Sequence, residues 1–552
     1  MTTYIVTSAP PNPNGDLHLG HLAGPFLGAD ILTRHLRQRG HDVSYVGYSD
    51  EHSCYVPRRA AELGWTAHRA AFTFGNRMEE TLSLGAMHHD FFTRPLTDAR
   101  HTEIVQRYFT SLWEQGRLVT RELPVFHCTG CERNLYEAEV RGECQFCGDP
   151  SDGVYCEACG LPQETTGLAN PRCTACWETP EVRTLERICL PLEEYRDRLL
   201  AYYAQAQEHA EWRPRLRAYL DALFARELPL TPVSRIADYG VPVPLAGWEG
   251  HILDTWFSGI FGYVAASARL AEGEGEPSRW ERQWADPETR IVNFIGFDCS
   301  FSHAVLWPAL LLAEGSATLP AQVVTNEFYR LEGEKFSTSR DHAIWGGDFL
   351  RQVSGDALRF HLALTGPERE QTNFAAKEFA ATVQDVLVGG VETWTRTLAA
   401  MVVEDFEGTI PTAEPGPASA AGPLAAVLDG LPADVAGSLA AESLSPQVAA
   451  RALAAAVATG VRDLGELRRL RIDPADRDRY AGRLAVHLEA LAVVATTAAP
   501  LMPGWSAFLA PRLGIPVDPT HRMPSWPDRT DGPLIPAGTT LTSVPPAFFH
   551  EL

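Results

Sequence analysis

Lysine is almost absent from this chain of 552 residues, which has 47 lysines and arginines but only two lysines, Lys335 and Lys377. Arginine therefore serves wherever a positive charge is enough, and a retained lysine is a candidate for a task that arginine does not perform. The chain also lacks any run of about eighteen uncharged apolar residues, the length that a membrane-spanning helix needs. A basic leader is missing from the N-terminus. We therefore expect a cytoplasmic protein without membrane contact.

Positive charge is scarce overall, because the net charge is −23. Such a charge repels polyanions at long range and opposes general nucleic-acid binding, although a local basic groove is compatible with it. Hydrophobic residues make up 45% of the chain and charged residues 21%, which is ordinary for a globular protein. The length predicts several domains.

The pattern at the N-terminus indicates a parallel α/β sheet. A β-branched run at residues 3–8 is followed by a Pro/Asn/Gly turn, a helical pattern from 18 to 39 and a second strand pattern. Strand patterns return at 291–297 and 322–325, with a helical pattern between them, and residues beyond about 345 read as helical. The sheet is therefore predicted to be interrupted by a long insertion.

Two polar motifs could bind phosphate groups. The first, PNPNGDLHLGH at residues 11–21, follows the first strand and places His18, Gly20 and His21 at the start of a helix. A helix N-terminus attracts anions, and two imidazoles there could stabilise charge on a phosphate. The second, GEKFSTSR at 333–340, combines Lys335 with the hydroxyl groups of Ser337, Thr338 and Ser339. Standing alone, the first motif would more often be a chance pattern of surface or core histidines, and the second a polar surface loop.

Eight of the eleven cysteines form four CxxC pairs. In a chain without a secretory leader, clustered pairs of this kind indicate metal ligands rather than disulfides. Eight thiolates suit two tetrahedral zinc sites of structural type. The predicted ligands are Cys128, Cys131, Cys144, Cys147, Cys156, Cys159, Cys173 and Cys176.

The two motifs together resemble the HIGH and KMSKS signatures of the class I aminoacyl-tRNA synthetases, and further segments resemble the methionyl branch. These segments are GYSDEH at 47–52, FIGFDCSFSHAVLWPALL at 294–311 and PAGTTLTSVPPAFF near the end of the chain. The resemblance implies an α/β fold: a Rossmann-type parallel sheet interrupted by a zinc-binding connective insertion and followed by an all-α C-terminal bundle. The implied divisions are 1–118 and 249–328 for the catalytic domain, 119–248 for the insertion, 329–385 for the KFSTS loop and stem-contact region, and 386–552 for the helical anticodon-binding-like domain.

The resemblance also implies roles for individual residues. His18, His21 and Lys335 would be catalytic in forming an aminoacyl-adenylate from ATP, with Mg²⁺ accompanying the nucleotide. The implied ATP-binding residues are His18, Gly20, His21, Gly296, Asp298, Lys335, Ser337, Thr338 and Ser339. The implied amino-acid-binding residues are Pro10, Asn12, Asp50, Trp256, Gly259, Ile260, Tyr263, Cys299, Ser302, His303 and Trp307. Asp50 would hold the α-amino group. In the family the zinc pairs are nested, 144/147 with 156/159 and 128/131 with 173/176, while sequential pairing is the alternative.

The pocket for the amino-acid side chain departs from the family. The usual Leu-Pro-Tyr is Pro10-Pro11-Asn12 here, and the usual Trp-x-Asp-Ala-Pro-x-Gly-Tyr is residues 256–263, with Gly259 at the alanine. Cys299 and Ser302 stand where the family has Ile and Phe. Polar groups at Asn12 and Ser302 offer little to a thioether and cost free energy if they are buried without partners. We therefore predict an amino acid other than methionine.

The helical C-terminal domain departs as well. Glu392 lies near the position of the family's anticodon-reading Asn, and LRIDPADRDR at 470–479 has no aromatic ring to stack on a base. A lost stacking platform forfeits about 1–3 kcal/mol per base. Residues from 401 onward hold 11 basic and 17 acidic residues, 11 − 17 = −6. A tRNA partner is possible, but recognition of the methionine anticodon is in doubt.

The sequence therefore predicts a monomeric, ATP-dependent ligase that adenylates an amino acid, a paralogue with an altered pocket, and then transfers the acid to an acceptor. Three alternatives remain: a genuine methionine–tRNA ligase, a tRNA-independent amide-forming ligase of specialised metabolism, and a non-catalytic RNA-binding relic. The presence of His18, His21, Asp50, Asp298 and Lys335 argues against the relic, which has no need of them.

Overall fold

The computed structural model describes residues 1–152, 154–163, 165–336, 342–412, 422–530 and 532–551, and for Thr165 and Lys335 the backbone only. The strands are β1 Thr3–Ser8, β2 Asp42–Tyr48, β3 Phe91–Thr93, β4 Val119–Cys128, β5 Arg133–Leu135, β6 Val140–Glu143, β7 Pro150–Ser151, β8 Ala169–Cys173, β9 Glu181–Pro191, β10 Leu230–Pro232, β11 Ser234–Ile236, β12 His251–Leu253, β13 Arg290–Gly296, β14 Gln322–Asn326, β15 Tyr329–Leu331, β16 Glu334–Lys335, β17 Thr372–Phe374, β18 Val517–Asp518 and β19 Met523–Pro524.

The α-helices are α1 Leu19–His21, α2 Leu27–Gln38, α3 Tyr55–Leu63, α4 Ala67–Leu84, α5 Ala99–Glu114, α6 Arg196–His209, α7 Pro214–Phe224, α8 Thr255–Ser258, α9 Gly262–Gly273, α10 Arg279–Ala285, α11 Trp307–Glu314, α12 Gly346–Leu350, α13 Gly355–Thr365, α14 Ala376–Ala381, α15 Thr393–Asp405, α16 Ala425–Asp429, α17 Leu431–Ser438, α18 Pro446–Ile472, α19 Arg477–Thr497 and α20 Pro503–Leu509. Three π-helical segments, Leu22–Phe26, Phe301–Leu306 and Thr382–Glu392, connect some of these helices.

The central sheet has five parallel strands in the order β14-β13-β1-β2-β3. The strand β1 lies in the middle, with Tyr4 opposite Arg290 of β13 on one side and opposite Val43 of β2 on the other. The strand order reverses at β1, and a ligand crevice is expected beyond the carboxyl ends of the strands at such a point. The predicted interrupted parallel sheet is confirmed.

The insertion between β3 and β13 is built on an antiparallel ribbon. Strands β4 and β9 pair over a long register from Val119↔Cys189 to His127↔Glu181, and β5 and β10 extend this sheet on either side. The cysteine pairs lie at the far end of the ribbon, where Phe126, Leu135, Val140 and Leu168 form a small apolar cluster with Cys128 and Cys173. Larger apolar clusters cover the two faces of the central sheet.

Two local features differ from the sequence prediction. The edge strand β3 lies within residues 57–118, whose sequence pattern predicts mostly helix, because a strand of three residues leaves too little alternation to detect. The helix predicted over 18–39 is interrupted by the π-helical segment 22–26, in which Gly24 has non-helical dihedral angles and is followed by Pro25. A Cβ atom on Gly24 would lie 2.7 Å from the amide of Asn326, so glycine permits this close approach to β14.

The C-terminal part is helical, as predicted, and α18 packs against α19 in the alanine-rich segment. Within the described chain, the continuous helical stretch Ala376–Asp405 is the one that matches a membrane span in length and apolarity. Its apolar window is 56% buried inside the protein, and core helices commonly pass the same test. This is weak evidence for a span, and the absence of membrane contact stays a prediction. The limits of the five predicted divisions likewise stay predictions.

Candidate active site

His18 and His21 form a stacked pair where the chain passes from β1 to the first helix. Their ring centroids are 3.7 Å apart with an interplanar angle of 19°. The backbone N–H of His21 donates to Nδ1 of His18 at 3.3 Å, and the N–H of His18 donates to Nδ1 of His21 at 3.2 Å. This reciprocal cap fixes both rings. Burial lowers the pKa of His21 to about 4, so the ring is neutral at pH 7 and its remaining nitrogen carries the proton it can donate.

The KFSTS motif begins beside this pair. The ring of Phe336 stacks on His18 at a centroid distance of 4.7 Å and an interplanar angle of 12°. A Cβ atom on Gly20 would lie 3.0 Å from the His18 ring and 3.2 Å from Phe336, so glycine makes room for the stack. The strand β16, which ends at Lys335, pairs with β15 and carries the motif to this place. Two segments that are far apart in the sequence thus share one contact.

Part of the second motif lies outside the residues that the structure describes. Ser337, Thr338 and Ser339 belong to the segment 337–341, and the side chain of Lys335 is likewise not described. The assignment of these four residues to ATP binding stays a prediction.

Gly296 and Asp298 lie together at the carboxyl end of β13. A Cβ atom on Gly296 would lie 2.4 Å from Oδ1 of Asp298, so only glycine lets the carboxylate fold back over the chain here. The carboxylate is half-buried in the first turn of a short 3₁₀ helix, Phe297–Cys299. It therefore lies at the same edge of the sheet as the histidine pair.

Asp50 follows β2 at this edge, and its N–H donates to the carbonyl of Pro11 at 2.9 Å. Burial, and then the charge of Glu137, raises the pKa of Asp50 well above its ordinary value, whereas Arg235 lowers it. The ammonium group of a bound amino acid would supply a second positive charge and favour the ionised carboxylate. The site is thus suited to an α-amino group.

Glu137 is a functional candidate that the sequence prediction missed. It belongs to the insertion, has a positive φ of 42°, and accepts hydrogen bonds from the indole N–H of Trp256 and the thiol of Cys54. Nη1 of Arg235 lies 3.7 Å from Oε2 of this carboxylate. No motif marks Glu137, because its role depends on how the insertion folds back over the sheet.

A chain of hydrogen bonds crosses the predicted side-chain pocket. The hydroxyl of Ser302 donates to the carbonyl of Cys299 and lies 2.9 Å from Nδ1 of His303. On the other side of the ring, Nε2 of His303 lies 2.9 Å from the Tyr263 hydroxyl, which also donates to the carbonyl of Ser8 at 3.2 Å. Burial lowers the pKa of His303 to about 4, so the ring is neutral at pH 7.

This arrangement changes one premise of the sequence prediction. Ser302 was expected to present an unpaired polar group to the substrate, but its hydroxyl is satisfied within the protein. The carbonyl oxygen of the Asn12 side chain is buried and has no hydrogen-bond partner among the described residues. Asn12 and Pro10 lie on the loop that the Pro11–Asp50 bond holds at the site. Of Ser302 and Asn12, only Asn12 therefore has a buried polar atom that the described residues leave without a hydrogen bond.

The predicted pocket residues divide into an outer and an inner group. Asp50, Trp256 and Cys299 are half-buried, as is Asn12. The inner group has exposures of 1% or less for Ile260, Tyr263, Ser302, His303 and Trp307, and Gly259 is buried with them. The Trp307 ring packs on Phe261, Tyr263 and Trp284, so it supports Tyr263 from behind.

The cysteines form two groups of four, each with its sulfur atoms within 4.8 Å of one another. One group contains Cys128, Cys131, Cys173 and Cys176, and the other contains Cys144, Cys147, Cys156 and Cys159. This confirms the nested pairing and excludes the sequential one. Sγ–Sγ distances of 3.3–3.9 Å agree with the roughly 3.8 Å edge of a tetrahedron around zinc, given Zn–S bonds of about 2.3 Å.

The turns that hold these thiols are alike. The residue after the second cysteine of each pair has a positive φ: 50° at Glu132, 78° at Gly148, 75° at Gly160 and 62° at Trp177. In three of the four turns its N–H donates to the carbonyl of the first cysteine at 2.7–2.9 Å. The residues therefore fit two zinc ions, which would hold the tip of the insertion together.

Comparison with known proteins agrees with this geometry. The sequence profile of the family described as "tRNA synthetases class I (M)" matches residues 4–396. The chain belongs to the class I tRNA synthetases. This is a family of ligases, and a curated relative, the methionine–tRNA ligase of Thermomicrobium roseum, is 35% identical over 416 residues, 75% of this chain and 70% of the relative.

A second methionine–tRNA ligase, from Bacteroides fragilis, is 34% identical over 413 residues, which cover 74% of this chain but 59% of the relative. The fold also matches a solved synthetase structure over the full length of both chains, with a TM-score of 0.81 at 22% identity. That structure is described as Mycobacterium tuberculosis methionyl-tRNA synthetase in complex with methionyl-adenylate. The predicted family and fold class are therefore confirmed.

Proposed function

We propose that this protein activates an α-amino acid with ATP as an aminoacyl-adenylate, releases pyrophosphate, and then transfers the acid to tRNA. The observation that carries this proposal is the convergence of the His18–His21 stack, Asp50 and Asp298 at one edge of the sheet, with the KFSTS motif starting at the same stack. A crevice at this edge is where an open parallel sheet binds ligands.

Each group has a chemical task in this scheme. Asp50 binds the ammonium group, which orients the carboxylate of the amino acid toward the α-phosphate of ATP. The rings of His18 and His21, whose Nδ1 atoms accept backbone N–H groups, donate hydrogen bonds through Nε2 to the phosphate oxygens as charge grows in the transition state. Asp298 accepts hydrogen bonds from the ribose, and Lys335 stabilises the departing pyrophosphate. Mg²⁺ accompanies the phosphates of ATP.

Methionine is the first candidate substrate, because the relatives that cover most of this chain are named methionine–tRNA ligases. A different amino acid is the second candidate, and the altered pocket favours it. The buried oxygen of Asn12 would lose hydrogen bonding against a thioether but would be satisfied by a donor on a more polar substrate. These alternatives share the adenylation step and differ in the side chain that enters.

Transfer to tRNA is supported by the family, but the far end of the molecule offers little to an anticodon. Arg471 near the tip of α18 is paired with Glu404 and Asp405 at 2.7 Å each, and Arg479 is paired with Asp476 at 2.6 Å. Paired arginines attract phosphates less than free ones do. We therefore propose that tRNA, if it is the acceptor, is recognised mainly through its acceptor stem.

Pyrophosphate exchange with ATP over a panel of amino acids tests the activity. We expect exchange with at least one amino acid, and His18→Ala and His21→Ala should each reduce kcat by about 10²–10³-fold. Lys377→Ala, at the other lysine of the chain, is the control and should leave the rate unchanged. Exchange that is absent with every amino acid, in protein that binds ATP, would contradict the proposal. Acylation of bulk tRNA, compared with amide formation on small amines, then identifies the acceptor.

A further inference from the structure

Tyr48 fills the inner part of the amino-acid pocket. It is the last residue of β2, two positions before Asp50, and its side chain is only 2% exposed. Its ring lies edge-on to Tyr263 at a centroid distance of 5.1 Å. Within the described part of the chain no hydrogen bond is made by its hydroxyl, although that oxygen lies among polar groups of the site. The ring therefore packs against the inner pocket residue Tyr263 and lies close to the carboxyl group of Asp50.

Two glycines form the seat of this ring. A Cβ atom on Gly259 would lie 2.7 Å from the Tyr48 hydroxyl oxygen, and a Cβ atom on Gly262 would lie 2.8 Å from the ring carbons. Contacts this short do not occur between real side chains. Tyr48 in this orientation and alanine at 259 thus exclude each other, so the glycine and the tyrosine form a matched pair.

The seat has a consequence for the size of the substrate. Behind Tyr48, the inner residues Tyr263 and His303 are 0% and 1% exposed, while Asp50 and Cys299 at the mouth remain accessible. An amino acid whose ammonium group is bound at Asp50 finds the inner volume already occupied. A long side chain could enter only by displacing a buried aromatic ring from a seat built for it.

We propose that Tyr48 is a specificity-determining residue that shortens the pocket, so that the enzyme selects α-amino acids with side chains shorter than that of methionine. This inference rests on the proposed amino-acid activation, and it favours the second candidate substrate, a different amino acid, over methionine. It adds that the selection depends on a single ring and on the absence of a methyl group at residue 259. The hydroxyl of Tyr48 then lines the remaining space, near Asp50 and Cys299.

The test is pyrophosphate exchange for glycine, alanine, serine, cysteine and methionine with four proteins: the wild type, Tyr48→Ala, Tyr48→Phe and Gly259→Ala. The wild type should have its highest kcat/KM with one of the shorter amino acids, at least tenfold above methionine. Tyr48→Ala should raise the ratio of methionine to the shorter acid at least tenfold, because the vacated volume admits the thioether. Tyr48→Phe keeps the ring and should keep the ratio within about threefold of the wild type.

The pair of residues is tested separately by combining Gly259→Ala with Tyr48→Phe. The added methyl group should lower kcat/KM for the best substrate less in the Tyr48→Phe background than in the wild type, because the 2.7 Å contact is with the hydroxyl while the next ring atom is at 3.4 Å. A contact of 2.8 Å with the carbonyl of Thr255 persists in both backgrounds and cancels in this comparison. Circular dichroism and thermal melts of each variant verify folding.

Each outcome has one meaning. Methionine as the best substrate of the wild type, or a selection ratio that Tyr48→Ala leaves unchanged in folded and active protein, would overturn the role of Tyr48 and leave amino-acid activation intact. Exchange that is absent with every amino acid for the wild type and for all variants would overturn the activation itself, and the size limit with it.

Discussion

Replacing Glu392 by alanine should free the C-terminal tail. Glu392 lies inside the helical domain, where its Oε1 accepts the backbone N–H of Phe548 at 2.8 Å and that of Phe549 at 3.0 Å. The side chain is 6% exposed, and Phe549 is buried beside it. The residue that the sequence comparison placed near an anticodon-reading position therefore points inward and anchors the end of the chain.

The size of the effect follows from two limits. A buried N–H that loses its acceptor costs about 1–3 kcal/mol, so two of them would cost about 2–6 kcal/mol if the tail stayed in place. Detaching the tail instead exposes Phe549, whose burial is worth about 1.5–3 kcal/mol. Exposure of Phe549 is the same in the wild type and the variant and cancels, so the loss of the two acceptors sets the change; with the lower half of its range, the free energy of opening the tail should fall by about 2–3 kcal/mol. At 1.36 kcal/mol per factor of ten, this is roughly a 30- to 160-fold larger open population.

Hydrogen exchange of the C-terminal peptide, read by mass spectrometry, measures this population. Exchange over residues 546–551 should accelerate roughly 30- to 160-fold in Glu392→Ala, while peptides from the central sheet stay unchanged. Glu404→Ala is the matched control for exchange, since Glu404 lies on the same helical stretch and, among the described residues, its exposed carboxylate contacts only the side chain of Arg471. Binding of bulk tRNA should be equal in the wild type and in Glu392→Ala. Unchanged tail exchange together with weaker tRNA binding would refute the inward role and restore the anticodon-reading one.

Three further predictions concern helix packing, zinc binding and the pH dependence of stability. Gly460→Ala should destabilise the protein by about 1–3 kcal/mol, because its Cβ would lie 2.3 Å from the fully buried ring of Trp394. Gly465→Ala on the same helix meets no described atom within 4 Å and should stabilise the protein by up to about 1 kcal/mol. Equal denaturation midpoints of the two variants would contradict this prediction. Cys147→Ser should reduce bound zinc, measured by mass spectrometry of the native protein, from two ions to one, and zinc-free wild type would be the opposing result. Burial lowers the pKa of His101 to about 3, so the folded state excludes a proton that the unfolded state binds below pH 6.5. The melting temperature should therefore fall as the pH drops from 6.5 toward 4, and it should fall less steeply in His101→Asn. A flat profile in both proteins would disprove the assignment.

Much of the site could be predicted from the sequence because its chemistry is concentrated in short motifs. The HLGH and CxxC patterns carry their own geometry: the histidines cap a helix, and each cysteine pair closes a tight turn. The parallel sheet was predictable for a similar reason, since β1, β2, β13 and β14 are β-branched runs in the expected order. Short motifs of this kind determine their local geometry with little help from distant segments.

The remaining features depend on contacts between distant segments. Tyr48 reads as an ordinary strand residue, and only its contacts with Gly259 and Gly262 reveal that it fills the pocket. Glu137 gains its role because the insertion returns to Trp256. Ser302 looked like an unpaired group because its partner His303 lies one residue further along a π-helical turn, a geometry that no sequence pattern announces. Of these residues, only Ser302 could be named from the sequence, and the partners of all three come from the fold.

The position of β1 has a consequence for how the protein is made. This strand is the centre of the catalytic sheet, yet Tyr4 pairs with Arg290, and 290 − 4 = 286 residues separate them. At about 5–20 residues per second, a ribosome needs about 14–57 s to synthesise that stretch. During this interval the histidine-bearing N-terminus lacks one of its two neighbours, whereas the four cysteine pairs have already emerged. The cysteine groups of the nascent insertion are therefore available to zinc before the central sheet can close.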